Sequence, residues 1–297
     1  MPLKTIYIAR HGFRLNWQTT IWKSPTGFPR DPPLAGYGEV APLVLSGWLN
    51  THLSKEQANE LAAYIAGLPE AERPTAIYSS QYYRCLQTAK PVAAALQLPL
   101  FVEPGIQEWY SPVKAGTGLH PRPVTVEELV PYFEAIDPSW SPTFLVTRKG
   151  ESVPELYRRG EEFMKAFIAR VEAEGIHERV FLCSHAATVI SLAQALLGDE
   201  TIGRTLRVGC CTLSIFDRNP NSTSTELVGG NVWTARGQLA AGDFLQNGIQ
   251  RDWGMVDIEV KDGVVVEDDG VPGTEGEVDI ISGPQPWNPR PRSASRM

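Results

Sequence analysis

Cysteine is scarce in this chain: four in 297 residues (Cys85, Cys183, Cys210 and Cys211), with no CxxC pair. That spacing matches no zinc site and no disulfide framework, so the four are expected to be reduced core thiols. No apolar run approaches the ~18 residues of a membrane-spanning helix, and no membrane association is expected. The opening PLKTIYIARH puts an arginine and a histidine where a secretory signal carries its apolar stretch. Secretion is therefore not expected, and the cytoplasm or nucleus is. Positive charge is in deficit, with 27 Lys and Arg against 34 Asp and Glu, net −7. This disfavours direct nucleic-acid binding, although it leaves room for a local basic pocket.

Apolar material is not lacking. Hydrophobic residues make up 42% of the chain, with 8 Trp and 10 Phe, enough for a substantial core. General disorder is excluded, and the length suits one large domain with or without an appendage.

The charge divides the chain. Residues 217–297 carry 7 basic and 13 acidic residues, while residues 1–216 carry 20 and 21. The Pro/Asn/Ser/Thr stretch DRNPNSTSTE begins at the same place and reads as a loop. We therefore expect a main domain over 1–216, a linker over 217–225, a β-rich region over 226–282 and a disordered tail over 283–297.

The main domain alternates strand and helix signals. Strands are expected at Thr5–Ala9, Ala76–Ser79, Leu100–Glu103, Val180–Cys183 and Thr212–Phe216. Helices are expected at Gln57–Ala66, Tyr83–Ala95, Val126–Ala135, Val153–Val171 and Ala186–Leu197. The fourth helix brings Leu156, Phe163, Phe167 and Val171 near one face. Such alternation predicts an α/β fold with a mostly parallel central sheet flanked by helices, plus a small C-terminal β-rich appendage.

In parallel sheets the ligand crevice lies beyond the carboxyl ends of the strands. Arg10, His11, Gly12 and Arg14 follow the first strand, and Arg84 follows the second by a few residues. Glu108 follows the third, and His185 follows the fourth. A parallel sheet would gather them in one crevice. Arginine forks match phosphate oxygens. A neutral imidazole can carry a covalent intermediate, and a carboxyl group can protonate a leaving oxygen and then activate water. Gly12 would let the backbone turn tightly. Each piece alone is weak: a lone histidine before a helix is more often packed than catalytic, and a lone Glu108 would be a solvated acid. Their occurrence after successive strands suits phosphoryl transfer with no metal and no cofactor.

The motifs IARHGFR, IYSSQYYRCLQTA, VEPGIQEWY and LCSHAATV together resemble the histidine phosphatase superfamily, the phosphoglycerate mutase-like fold, over about residues 3–216. The resemblance implies that His11 is the phosphorylated nucleophile and that Arg10, Arg14, Arg84 and His185 hold the phosphate. It also implies that His185 belongs to the catalytic set and that Glu108 donates the proton. Metabolic mutases follow the Arg-His-Gly with an acidic residue and a serine, whereas this chain has Phe13 and Arg14. Phytases bring their acid from a His-Asp pair that this sequence lacks. The pattern is more similar to the phosphatase domains of suppressor-of-T-cell-receptor-signalling proteins and of the fungal tau subunit of RNA polymerase III transcription factor C. A phosphorylated small molecule or phosphoprotein is the implied substrate. The tau-like alternative is a transcription factor C subunit that docks on a larger protein subunit through residues 226–282.

Three segments depart from the pattern. Residues 41–56 interrupt a Leu34, Gly38, Gln57, Ala58 series and read as an insertion, of the kind a translated retained intron would leave. The bland alternative is a surface loop; His52 within it is given no role. The Pro-rich stretch 112–144 is expected to wall the site mouth, with His120 as a solvated loop residue. Trp109 and Tyr110 either stack on an aromatic leaving group or belong to the core. In the tail, Lys261-Asp262-Gly263 between apolar runs signals a hairpin. Between Asp257 and Asp279 nine acids face one base, a solvated acidic surface or one suited to a basic partner.

Overall fold

The computed structural model describes residues 2–35, 48–258, 260–261, 264–265, 273, 276 and 278–287. In chain order the elements are β1 (Thr5–Arg10), α1 (Trp48–Gly67), β2 (Ala76–Ser79), α2 (Tyr83–Leu96), β3 (Leu100–Val102) and α3 (Val126–Leu129). They continue with β4 (Phe144–Leu145), α4 (Val153–Glu174), β5 (Arg179–Ser184), α5 (Ala186–Leu197), α6 (Ile202–Thr205), β6 (Leu213–Arg218) and β7 (Trp233–Ala235). Three short strands close the series: β8 (Val260–Lys261), β9 (Val264–Val265) and β10 (Gly283–Pro284).

The main sheet has the order β3-β2-β5-β1-β6-β7. Strands β3, β2, β5 and β1 are parallel, and β6 and β7 are antiparallel additions at one edge. The register pairs Arg10 with Ser184 and Ser79 with both Cys183 and Val102, so the four parallel strands end together. Alternation along β1 explains the two-sided core. Ile6 and Ile8 join Leu182, Phe163 and Phe167 on the α4–α5 side. Tyr7 and Ala9 join Phe181, Leu61 and Leu86 on the α1–α2 side. Strands buried on both faces by helices are what this sheet type requires.

Helix α4 starts with a Ser152–Glu155 capping box and ends at Gly175, whose φ of 67° ends the helix with a left-handed turn. Its expected apolar face is the observed one: Leu156, Phe163, Phe167 and Val171 are all buried. The helix expected at 126–135 stops early, because Pro131 lacks the N–H a helix needs and disfavours helical geometry at Val130. The chain passes instead into a 3-10 turn, Val130–Tyr132. Helix α1 begins at Trp48, not Gln57, so the second half of the expected insertion is helix and not loop; residues 41–47 lie outside the described residues.

The later chain joins the same body. The supposed boundary at 217 falls inside β6, and β7 extends the main sheet. Trp233 is 1% exposed, and Val208 and Leu213 form bridges to Trp253 and Ala241. Strands β8 and β9 pair antiparallel where the hairpin is expected; Asp262 and Gly263 lie outside the described residues. Residues 283–287, expected to be disordered, are docked: β10 pairs with β4, Gln285 N–H donates to Thr143 O at 2.8 Å, and Trp287 faces Arg170. Residues 288–297 lie outside the described residues. Among the described residues, no helix is long and apolar enough to cross a membrane.

One close approach makes a test. A Cβ at Gly160 on α4 would meet Ser191 Oγ at 2.0 Å and Ser191 carbonyl carbon at 3.1 Å on α5. Gly160→Ala should therefore destabilise the fold by about 1–3 kcal/mol despite its better helix propensity. A lower urea midpoint at unchanged slope is the expected result; an unchanged or higher midpoint would show that the helices can part freely.

Candidate active site

His11 follows directly on β1, and its N–H donates to Ser184 O at 2.9 Å. Its ring is 1% exposed. Nδ1 lies 2.7 Å from Gly12 O, a pairing in which Nδ1–H donates and the Nε2 lone pair is left free. Burial first, then Arg84, His185, Arg10 and Arg14, hold its pKa well below the usual 6.5. His11 is thus neutral over the physiological range. Gly12 does not adopt a left-handed φ, which corrects the tight-turn reading. It supplies room instead: a Cβ there would meet Cys211 Sγ at 3.3 Å and Leu34 at 3.4 Å.

Arg84, in the first turn of α2, is completely buried. It donates to Asp31 Oδ1 at 2.9 Å and to Glu108 Oε2 at 2.9 Å, and its Nη2 lies 3.1 Å from His185 Nδ1. Burial pushes its pKa down, but the two carboxylates outweigh that and raise it. Asp31 also accepts the Tyr83 N–H. Its pKa rises to about 6, because burial outweighs Arg84 and that hydrogen bond. Glu108 goes the other way. Burial would raise it, yet His185, Arg84 and Arg14 hold it well below the ordinary carboxylate range.

His185 occupies the N-cap position of α5 without a side-chain cap. Its Nε2 pairs with Ser80 Oγ at 2.8 Å, and its Nδ1 lies 3.3 Å from Glu108. Burial lowers its pKa, but the Cys85 sulfur and Glu108 outweigh burial and raise it. Its ring meets that of His11 edge-on with centroids 5.3 Å apart. Arg10 is held by two carbonyls, Val208 O at 2.6 Å and Arg251 O at 2.5 Å. Arg14 lies over the Trp17 ring, 4.3 Å from its centroid, and burial with Arg84 lowers its pKa to about 10. The structure thus brings all six sequence-predicted residues, Arg10, His11, Arg14, Arg84, Glu108 and His185, into one cluster.

A pocket of about 350 Å³ opens beside it, lined by Arg10, His11, Arg14, Trp17, Glu108 and Trp109. Among the described residues, the buried Nε–H donors of Arg10, Arg14 and Arg84 have no hydrogen-bond partner. Buried unpaired donors of this kind are costly unless a ligand accepts from them. Ligand atoms of His11, Glu108 and His185 lie within 4.8 Å of one another, close enough to hold a metal ion. The three surrounding guanidiniums make the position better suited to an anion than to a divalent cation.

Sequence reasoning missed Asp31, Trp17, Ser80 and Arg251. Trp17 had a signal in its spacing, three residues after Arg14. Asp31 lies in an irregular Pro-rich stretch, and Arg251 reaches the pocket only because the later chain folds back. Other expectations change. His120 is 4% exposed rather than solvated, held between Arg30 Nη1 at 2.6 Å and Ser111 O at 2.8 Å. Trp109 lines the pocket with its indole N–H anchored on Glu151 O. All four cysteines are free and buried, as expected.

Residues 6–230 match the histidine phosphatase superfamily (branch 1), and the chain belongs to that family. Among curated relatives, the transcription factor tau 55 kDa subunit of Saccharomyces cerevisiae (strain ATCC 204508 / S288c) is 37% identical over 226 residues, covering 73% of this chain and 48% of the relative. Ecdysteroid-phosphate phosphatase of Bombyx mori is 25% identical over 248 residues, covering 72% of this chain and 35% of the relative. This chain therefore spans half or less of the length of these two relatives. The crystal structure of the ecdysone phosphate phosphatase of Bombyx mori with tungstate superposes with a TM-score of 0.55 at 20% identity, covering 80% of this chain and 94% of that one. That likeness shows the fold.

The depressed His11 pKa gives a stability prediction. The unfolded chain protonates this histidine near pH 6.5, while the folded chain does so only well below it. The stability from neutral His11 is therefore fully present above pH 6.5 and falls as pH drops. The stability of wild type minus that of His11→Gln should decline below pH 6.5, by up to about 1.4 kcal/mol per unit. Denaturant melts from pH 5 to 8 would read it; a flat difference would mean that His11 takes up its proton normally.

Proposed function

We propose that this chain is a metal-independent phosphomonoester hydrolase acting through a phosphohistidine on His11. The observation that carries the reading is the neutral, buried His11 surrounded by three arginines with unpaired buried donors. A phosphate dianion supplies the missing acceptors, and the arginines stabilise the charge of the transferred group.

His11 Nε2 attacks phosphorus and the bond to the leaving oxygen breaks. Glu108 delivers a proton to that oxygen. In the resting site Glu108 is ionised, since His185 and Arg84 hold it low. A bound dianion opposes those cations and lifts the carboxyl toward a pKa at which it can carry a proton. Water then bonds to phosphorus, the N–P bond breaks, and Glu108 takes the water's proton. Nδ1–H, fixed on Gly12 O, holds the ring's tautomer throughout. His185 and Arg84 orient Glu108 and assist the phosphate. The substrate is a phosphorylated small molecule or phosphoprotein.

Hydrolysis of para-nitrophenyl phosphate in chelator tests this. His11→Ala should abolish turnover and the alkali-stable, acid-labile phosphoenzyme burst, and Glu108→Gln should lower kcat by about 10²–10⁴. A folded wild type without turnover, or chelator-sensitive turnover that survives in His11→Ala, would overturn the reading.

The 37% identity to a yeast transcription factor subunit over 73% of this chain favours a second, compatible role. In that role the chain is a nuclear subunit of a transcription factor C-like assembly and docks on a larger protein. Within residues 226–282, Trp233 is used by the chain's own core, whereas Val278 and Ile281 are exposed. Co-purification that fails for a Val278→Asp, Ile281→Asp variant would support docking there; retention of the partner would count against it.

A further inference from the structure

Arg251 lines the pocket with Arg10 and Arg14, and it differs in kind from them and from Arg84 behind them. Arg10 and Arg84 are buried, and Arg14 is partly buried, whereas Arg251 is exposed at the rim. Its guanidinium makes no hydrogen bond or ion pair among the described residues. It faces the rings of Phe13 and Trp17, 5.4 and 5.5 Å from their centroids. Trp17 therefore has Arg10, Arg14 and Arg251 around it. The neighbouring acid is already committed, since Asp252 pairs with Arg207 Nε at 2.5 Å.

The backbone here is built with care. Arg251 has φ 50°, a left-handed conformation that a non-glycine residue adopts at a cost. The conformation is held from both sides. Gln250 O accepts from Cys210 N–H at 2.9 Å, and Val208 and Trp253 exchange both hydrogen bonds of a bridge. Arg251 O itself receives Arg10 Nη1. The same residue thus ties its carbonyl to a phosphate-site arginine and presents its side chain at the mouth.

We propose that Arg251 is a specificity-determining residue that reads a second anionic group on the leaving-group side of the substrate. This rests on the reading of the pocket as a phosphomonoester site. The buried arginines meet the phosphoryl group next to His11, so a cation at the rim meets what projects outward. The aromatic walls, Trp17 and Trp109, suit a planar spacer between the two charges. The substrate class is a phosphomonoester whose leaving group carries a carboxylate or another phosphate.

Binding can be measured without turnover, using phenylphosphonate and 4-carboxyphenylphosphonate by calorimetry on the full chain. Wild type should bind the carboxylated probe about fivefold more tightly than the parent, the scale of one partly solvated ion pair. In Arg251→Met the ratio should fall to near one, and Arg251→Lys should restore part of it. Equal affinities in wild type overturn the proposal, as does a preference that persists in Arg251→Met. Equal weakening of both probes would make Arg251 a phosphoryl ligand instead and also overturns it. If wild type binds neither probe, the phosphomonoester reading falls together with this one, whereas loss of discrimination alone removes only the role of Arg251.

Discussion

The buried charge of Arg84 is the constraint on which the rest of the site depends. A guanidinium removed from water must find anions or become very costly. Here it finds Asp31 and Glu108 at the same distance, 2.9 Å. Each partner belongs to a different segment. Asp31 fixes the loop after β1 and, through the Tyr83 N–H, the start of α2. Glu108 fixes the segment after β3, and His185 completes the cluster from the end of β5. One cation thus locks four pieces of chain. Removing either carboxylate would leave a buried charge short of a partner, which in such pairs costs about 3–5 kcal/mol.

That lock produces a particular electrostatic poise. Burial, and then the cations close to it, keep the His11 imidazole neutral and its lone pair available. Three of those cations, His185, Arg84 and Arg14, keep Glu108 ionised. The site therefore carries a field that favours an anion, with Glu108 deprotonated. On the proposed reading, a bound dianion opposes that field and lifts Glu108 toward a pKa at which it can carry a proton.

The later chain is part of this site rather than an appendage beside it. The composition break near Asp217 is real, but it reflects an exposed loop between β6 and β7, not a boundary between cores. The alternation of apolar and polar residues around Trp233 is a strand signal, and it carries no mark of which sheet the strand joins. Trp253 bridges to Val208, and Arg251 O engages Arg10, so residues some 240 positions apart in the chain share one hydrogen bond. His120 shows the same limit on a smaller scale. A histidine in a Pro-rich stretch reads as solvated, yet Arg30 and Ser111 enclose it.

Local chemistry made much of the molecule legible in the sequence. The apolar periods of β1, β2 and α4 follow from two-sided and one-sided burial. The site residues were readable because parallel strands deliver whatever follows them to one edge, so order along the chain becomes proximity in space. The same reasoning could not find Asp31, Ser80 or Arg251, whose places depend on long-range pairing that no local pattern encodes. Nor could it set protonation states: His11, Asp31 and Glu108 depart from ordinary values in different directions only because burial and the Arg84 cluster act on each differently. The residues of the candidate site were written in the sequence; their charges, and the place of Arg251 at the rim, were decided by the tertiary structure, because only there do desolvation and Coulomb fields exist.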